Sequence, residues 1–141
     1  APARVWVIAD SGTADVDAAG VRDAFSRWTG ARGADAWMMV GDNAYWDGTL
    51  QEYEAAVFRM YPAMLRQVAL WPVLGNHDAV SSDPVAQTGP YFQLFDLPAQ
   101  GESGGVPSQT ESYYSFDIAN MHIVVLDSSG SDRSSAGPMA T

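Results

Sequence analysis

The chain reads as an α/β protein with a mixed sheet, and three observations lead there. Apolar runs of strand length recur at residues 4–9, 36–40 and 68–74. The stretches between them carry apolar residues at helical spacing. Near the end, runs 113–118 and 122–126 are separated by Ala119-Asn120-Met121, the pattern of an antiparallel hairpin.

Each element has a local reason. Residues 4–9 form a short buried strand. Asp15 or Asp17 can cap the first helix, which carries Val21, Ala24, Phe25 and Trp28 on one face and runs to about Trp28. Gly30 ends it. Residues 36–40 are the second strand. Thr49 with Glu52 three residues later fits a capping box. The second helix then places Tyr53, Ala56, Val57, Met60 and Tyr61 on its apolar side, until Pro62 breaks or kinks it. Residues 64–68 can continue it, and the third strand lies within 68–74. From 79 to 112 the texture turns to Gly, Pro, Ser and Gln around one apolar island at 91–97. The tail, 128–141, is small and polar. Parallel crossovers should be right-handed.

At 141 residues the chain is expected to form one domain, residues 1–141. Its 47% apolar content supports a packed core. No apolar run is long enough to span a membrane, so no membrane partner is expected. The absence of cysteine excludes disulfides and thiolate metal sites. A net charge of −10 argues against a nucleic acid held on a basic face. It does not exclude a phosphorylated small molecule, because bound cations invert the local field.

The chemistry sits at strand ends. Asp10-Ser11-Gly12 follows the first strand, Gly41-Asp42-Asn43-Ala44-Tyr45 the second, and Gly75-Asn76-His77-Asp78 the third. Asp10, Asp42 and Asn76 are 32 and 34 residues apart, about one strand–helix–strand unit each. Residues just past the carboxyl ends of parallel strands meet in one crevice. Two carboxylates, a phenol, an amide and an imidazole are therefore aimed at one place. Oxygen donors suit hard cations. Two metals about 3.5 Å apart can clamp both oxygens of an in-line phosphoryl displacement. His77 adds an imidazole, a side chain that can serve as general acid or base.

Asp-x-Gly, Gly-Asp-x-x-Tyr and Gly-Asn-His-Asp in this order resemble the calcineurin-like metallophosphoesterases. The tyrosine version resembles their purple acid phosphatase branch, as do the runs Tyr113–Asp117 and His122–Ser128. The resemblance covers residues 5–128. It implies a layered α/β/β/α fold, of which this chain holds the N-terminal half, so the single domain would be C-terminally incomplete. It also implies hydrolysis of phosphate monoesters by a metal-bound hydroxide. Asp10 would bind one metal, Asp42 would bridge two, Tyr45 would bind the first as a tyrosinate on ferric iron, and Asn76 would bind the second. The metals would be iron with zinc, manganese or a second iron. His77 would stabilise charge or protonate the leaving group, with Asp78 beside it in the catalytic set. Many relatives outside the purple branch have His where Gly12 stands; here Tyr45 replaces that ligand. Secretion or a periplasmic location follows from the resemblance alone.

The family also uses three further imidazole ligands. This chain has two histidines, and the second, His122, lies in a predicted strand and reads as structural. The missing ligands, and a second polypeptide or a second copy completing the fold, are expected beyond these residues. A phosphodiesterase or nucleotidase of the same superfamily, and a non-catalytic scaffold lacking the histidines, are the alternative readings.

Overall fold

Three parallel strands run side by side in the order β1 (Val5–Ile8), β2 (Ala36–Val40) and β3 (Leu70–Val73). The structure is a computed structural model and describes residues 2–130; the rest of the tail, 131–141, lies outside the described residues. The register pairs Trp6 with Trp37 and Ile8 with Met39, so these four side chains share one face. Right-handed crossovers between strands in sequential order put both connecting helices on that face. The ring contacts agree. Phe25 of α1 (Val16–Thr29) stacks on Trp6 at 4.2 Å, and Tyr61 meets Trp37 at 4.8 Å.

The helix boundaries follow their caps. Asp15 accepts from the amides of Asp17 and Ala18 at 3.0 and 2.9 Å, and Gly30 follows the last turn of α1 with a φ of 54°. Thr49 and Glu52 form the reciprocal capping box that opens α2 (Leu50–Tyr53). The expected single helix is divided into three. The chain widens to a π-helical turn over Glu54–Arg59, and Pro62 then begins α3 (Pro62–Leu65) rather than interrupting a longer helix. Proline suits that first-turn position because its missing N–H would lack a helical partner there. Tyr53, Ala56, Val57, Met60 and Tyr61 are all buried, as their spacing indicates.

The chain is α/β, but its parallel and antiparallel strands do not share one mixed sheet. Among the described strands β4 (Tyr114–Ile118) and β5 (Met121–Val125) pair only with each other, and β4 bridges besides to Gly104 in the irregular segment. Pro72 gives the physical reason. It has no N–H to offer a fourth strand, and its carbonyl accepts from the hydroxyls of Tyr91 and Tyr114 at 2.9 and 2.7 Å. The hairpin instead packs over the other face of the sheet, where Phe116 stacks on Trp71 at 3.8 Å. That face is only partly covered by the described residues. Val7, expected in a buried strand, is 54% exposed, and Val40 is exposed beside it. Most of 79–112 is irregular, as its composition indicates. Its apolar island supplies the short helix α4 (Pro90–Leu94), which buries Tyr91, and Leu97 is buried after it.

Candidate metal centre

Asp10 and Asp42 stand two residues past the ends of β1 and β2, and both take left-handed backbone, each with a φ of 52°. Aspartate is one of the few residues that tolerates this conformation. The two loops are laced together by backbone hydrogen bonds. The Asp10 amide donates to the Gly41 carbonyl at 3.2 Å, the Gly12 amide to Asp42 at 3.1 Å, and the Tyr45 amide to Gly12 at 2.9 Å. Gly12 permits this approach, because a Cβ there would stand 2.5 Å from the Ala44 amide nitrogen and 2.7 Å from the Asp42 carbonyl oxygen. An imidazole at position 12 is excluded unless the loops part.

The lacing brings three oxygen donors together. The Tyr45 hydroxyl lies 3.1 Å from Oδ1 of Asp10 and 3.0 Å from Oδ2 of Asp42. One phenol proton therefore serves two carboxylates. Burial pushes the Tyr45 phenol well above its ordinary pKa, and the hydrogen bonds and negative charges of Asp42 and then Asp10 push it further. The second oxygen of Asp42, Oδ1, accepts the backbone amide of His77 at 3.1 Å, which ties the third loop to the second.

His77 is held by its ring as well. Nδ1 lies 2.7 Å from the Trp46 carbonyl, so it carries the proton and donates it. Nε2 is left as the acceptor in the neutral ring and as a second donor in the charged one. The His77 ring packs edge-on to Tyr45 at 4.5 Å and to Trp46 at 6.0 Å. The Tyr45–Trp46 peptide is cis. Asn76 is exposed and lines the same crevice as Asp10 and Asp42, a cavity of about 320 Å³.

Asp78 departs from the expected set. It is fully buried and does not face the crevice. Its Oδ1 accepts from the Tyr53 hydroxyl at 2.6 Å and the Asn43 amide at 3.1 Å. Its Oδ2 accepts from the Asn43 side chain at 2.9 Å and the Gly75 amide at 2.8 Å. Burial raises its pKa, against the lowering effect of the hydrogen bonds from Tyr53, Gly75 and Asn43. Asp78 thus ties the second and third loops together. Gly75 packs so closely against Asp42 and Asp78 that a side chain there would meet both.

His122 sits on the hairpin, 2.7 Å from Asp117 directly across the antiparallel register, and not in the crevice. Two crevice residues escaped the sequence reading, Ser128 and Ser129. They follow β5 as the other site segments follow their strands, and that position was the available signal. The buried Asp127 turns the chain there, accepting from the amides of Ser129 and Gly130 at 2.7 and 3.1 Å.

The donor set fits a hard cation. Two carboxylates and a phenol converge, and among the described residues no arginine is ion-paired with either carboxylate. Among the described residues no three His, Cys, Asp or Glu side chains meet, so the phenol and the Asn76 amide would have to complete any metal site. No protein-family model matches this chain, and no curated protein matches it.

Proposed function

We propose that this chain carries the first part of a dinuclear metal site that hydrolyses phosphate monoesters, in the manner of the purple acid phosphatase-like metallophosphoesterases. The observation that supports this best is the Tyr45 hydroxyl placed between Asp10 and Asp42. A phenol shared by two strand-end carboxylates has little value to a packed core, and it is a good ligand for a hard trivalent cation. The separate parallel sheet and hairpin, with helices on one outer face, support the layered α/β/β/α arrangement.

Asp10, Asp42 and Tyr45 would hold the first metal, and Asp42 and Asn76 the second. Such cations would supply positive charge for the phosphate and a nucleophile drawn from water near neutral pH. The chain's own residues do the rest. Asp42 divides its carboxylate, Oδ2 toward Tyr45 and Oδ1 toward the His77 amide, and so fixes the spacing of the loops. Trp46 holds the His77 ring by Nδ1, which leaves Nε2 to carry a proton for the phosphate or the departing oxygen. With two protein ligands at most, a second metal would be under-coordinated here. The 141-residue chain alone is therefore expected to be inactive until the missing imidazoles are supplied.

The test is turnover of an aryl phosphate by the protein with its complete ligand set. Asp42→Ala should remove both metals and all activity. His77→Ala should retain the metals and lose roughly 100-fold or more in rate, the usual share of a positioned acid. Full activity in Asp42→Ala would contradict the proposal.

A further inference from the structure

The crevice of Asp10, Asp42 and Asn76 is also lined by Ser128 and Ser129. The turn that carries these serines is anchored. It follows β5, and the fully buried Asp127 accepts the amides of Ser129 and Gly130 at 2.7 and 3.1 Å. Gly130 packs so closely on Pro84 that a side chain there would collide with the proline ring. The serines themselves are exposed. Two short hydroxyl side chains thus stand on a fixed turn, and ordering them against a ligand costs little further entropy.

Their chemistry differs from the rest of the lining. Ionised Asp10 and Asp42 only accept hydrogen bonds. Val40, Val73 and Leu74 present apolar side chains, and Gly41 and Gly75 present none. Nearby amides are already engaged: that of Asp10 by the Gly41 carbonyl, that of Gly75 by Asp78 and that of His77 by Asp42. Among the described residues no arginine lines the crevice, and the chain contains no lysine. Side-chain donors in the lining therefore come from Asn76, Ser128 and Ser129 alone. A phosphoryl group taken out of water needs donors for the oxygens that cations do not hold. Neutral hydroxyls suit this place, because a guanidinium would compete with the cations for Asp10 and Asp42. Resting on the phosphate-ester reading above, we propose that Ser128 and Ser129 bind the phosphate, their hydroxyls donating hydrogen bonds to its oxygens.

Equilibrium binding tests this without turnover. The chain is loaded with ferric iron, and methylphosphonate and fluoride are titrated in separately, each followed by the change in the visible band of the Tyr45 phenolate on iron. Fluoride is a single atom that needs only the cation, whereas methylphosphonate also presents oxygens to the serines. The double variant Ser128→Ala with Ser129→Ala should bind methylphosphonate roughly tenfold more weakly or worse, the size of one hydrogen bond to a charged group. Its fluoride affinity and its iron affinity should match the parent. Ser128→Thr with Ser129→Thr keeps both hydroxyls and should keep the methylphosphonate affinity. Unchanged methylphosphonate binding in the alanine variant overturns the proposal and leaves the phosphate-ester reading standing. So does equal weakening of both anions, or loss of iron, since those mark a structural or metal-binding role, and so does a threonine variant as weak as the alanine one. A parent chain that binds iron and fluoride but not methylphosphonate overturns the phosphate-ester reading and the serine role with it, as does a parent chain that forms no iron band.

Discussion

Asp78 and His77 are neighbours in sequence with different surroundings. His77 packs its ring against those of Tyr45 and Trp46, while Asp78 turns inward, where four donors from Tyr53, Asn43 and Gly75 close around it. Replacing it with alanine strands those donors in a buried pocket, at about 1–3 kcal/mol for each group that finds no new partner. Asp78→Ala should therefore destabilise the chain by roughly 3 kcal/mol or more in denaturant unfolding, and Asp78→Asn by less. A change within about 0.5 kcal/mol, the scale of an ordinary surface substitution, would contradict this role. The sequence groups Asn76, His77 and Asp78 in one segment but does not show which way each residue faces. Adjacency to a histidine cannot tell a crevice carboxylate from a buried one when the partner, Tyr53, lies 25 residues away. Tyr45 was the more legible residue, because its spacing from Asp42 alone keeps it within reach of the same ligand.

Elements with local causes were readable. The Asp15 cap, the Thr49–Glu52 capping box and the full extent of β2 (Ala36–Val40) all stand where short-range chemistry puts them. The separation of the hairpin from the sheet was not readable, because it depends on hydroxyls of Tyr91 and Tyr114 reaching Pro72 across 19 and 42 residues. A second long-range tie joins the start of β1 to the start of β2. Asp35 accepts the Arg4 amide at 2.8 Å and pairs with Arg32 at 2.6 Å. The hydrogen bond from Arg32, followed by that from Arg4, lowers the Asp35 carboxyl to about 2. A lowered folded-state pKa gives stability that is present above the unfolded carboxylate value and is lost as pH falls from there toward the folded one. Asp35→Ala should thus lower the thermal midpoint at pH 6, and the difference should fade as pH falls from about 4 to about 2. The pair is exposed, so added salt should shrink the difference. A gap that stays constant down to pH 2 would show that the contact acts by packing alone.

At the scale of the whole molecule, charge and apolar surface set the behaviour. A phosphate dianion approaching Asp10 and Asp42 on a chain of net charge −10 meets repulsion unless cations intervene. Binding of any phosphonate should therefore be abolished by a chelator, and simple shielding by salt should not replace the metal. Val7 and Val40 on the sheet, and Val124 and Leu126 on the hairpin, leave apolar side chains in solvent. Such surface invites association, so the chain should elute as more than a monomer in size-exclusion chromatography with light scattering. A monodisperse monomer at high concentration would contradict that. The three-oxygen cluster of Asp10, Asp42 and Tyr45 is tested most directly by titrating the chain with ferric iron and recording its visible absorption. A phenolate-to-iron charge-transfer band should grow to saturation at one equivalent and release the Tyr45 proton. It should be absent in Tyr45→Phe. No band in the parent chain, or an undiminished band in Tyr45→Phe, would show that these residues do not form a metal centre.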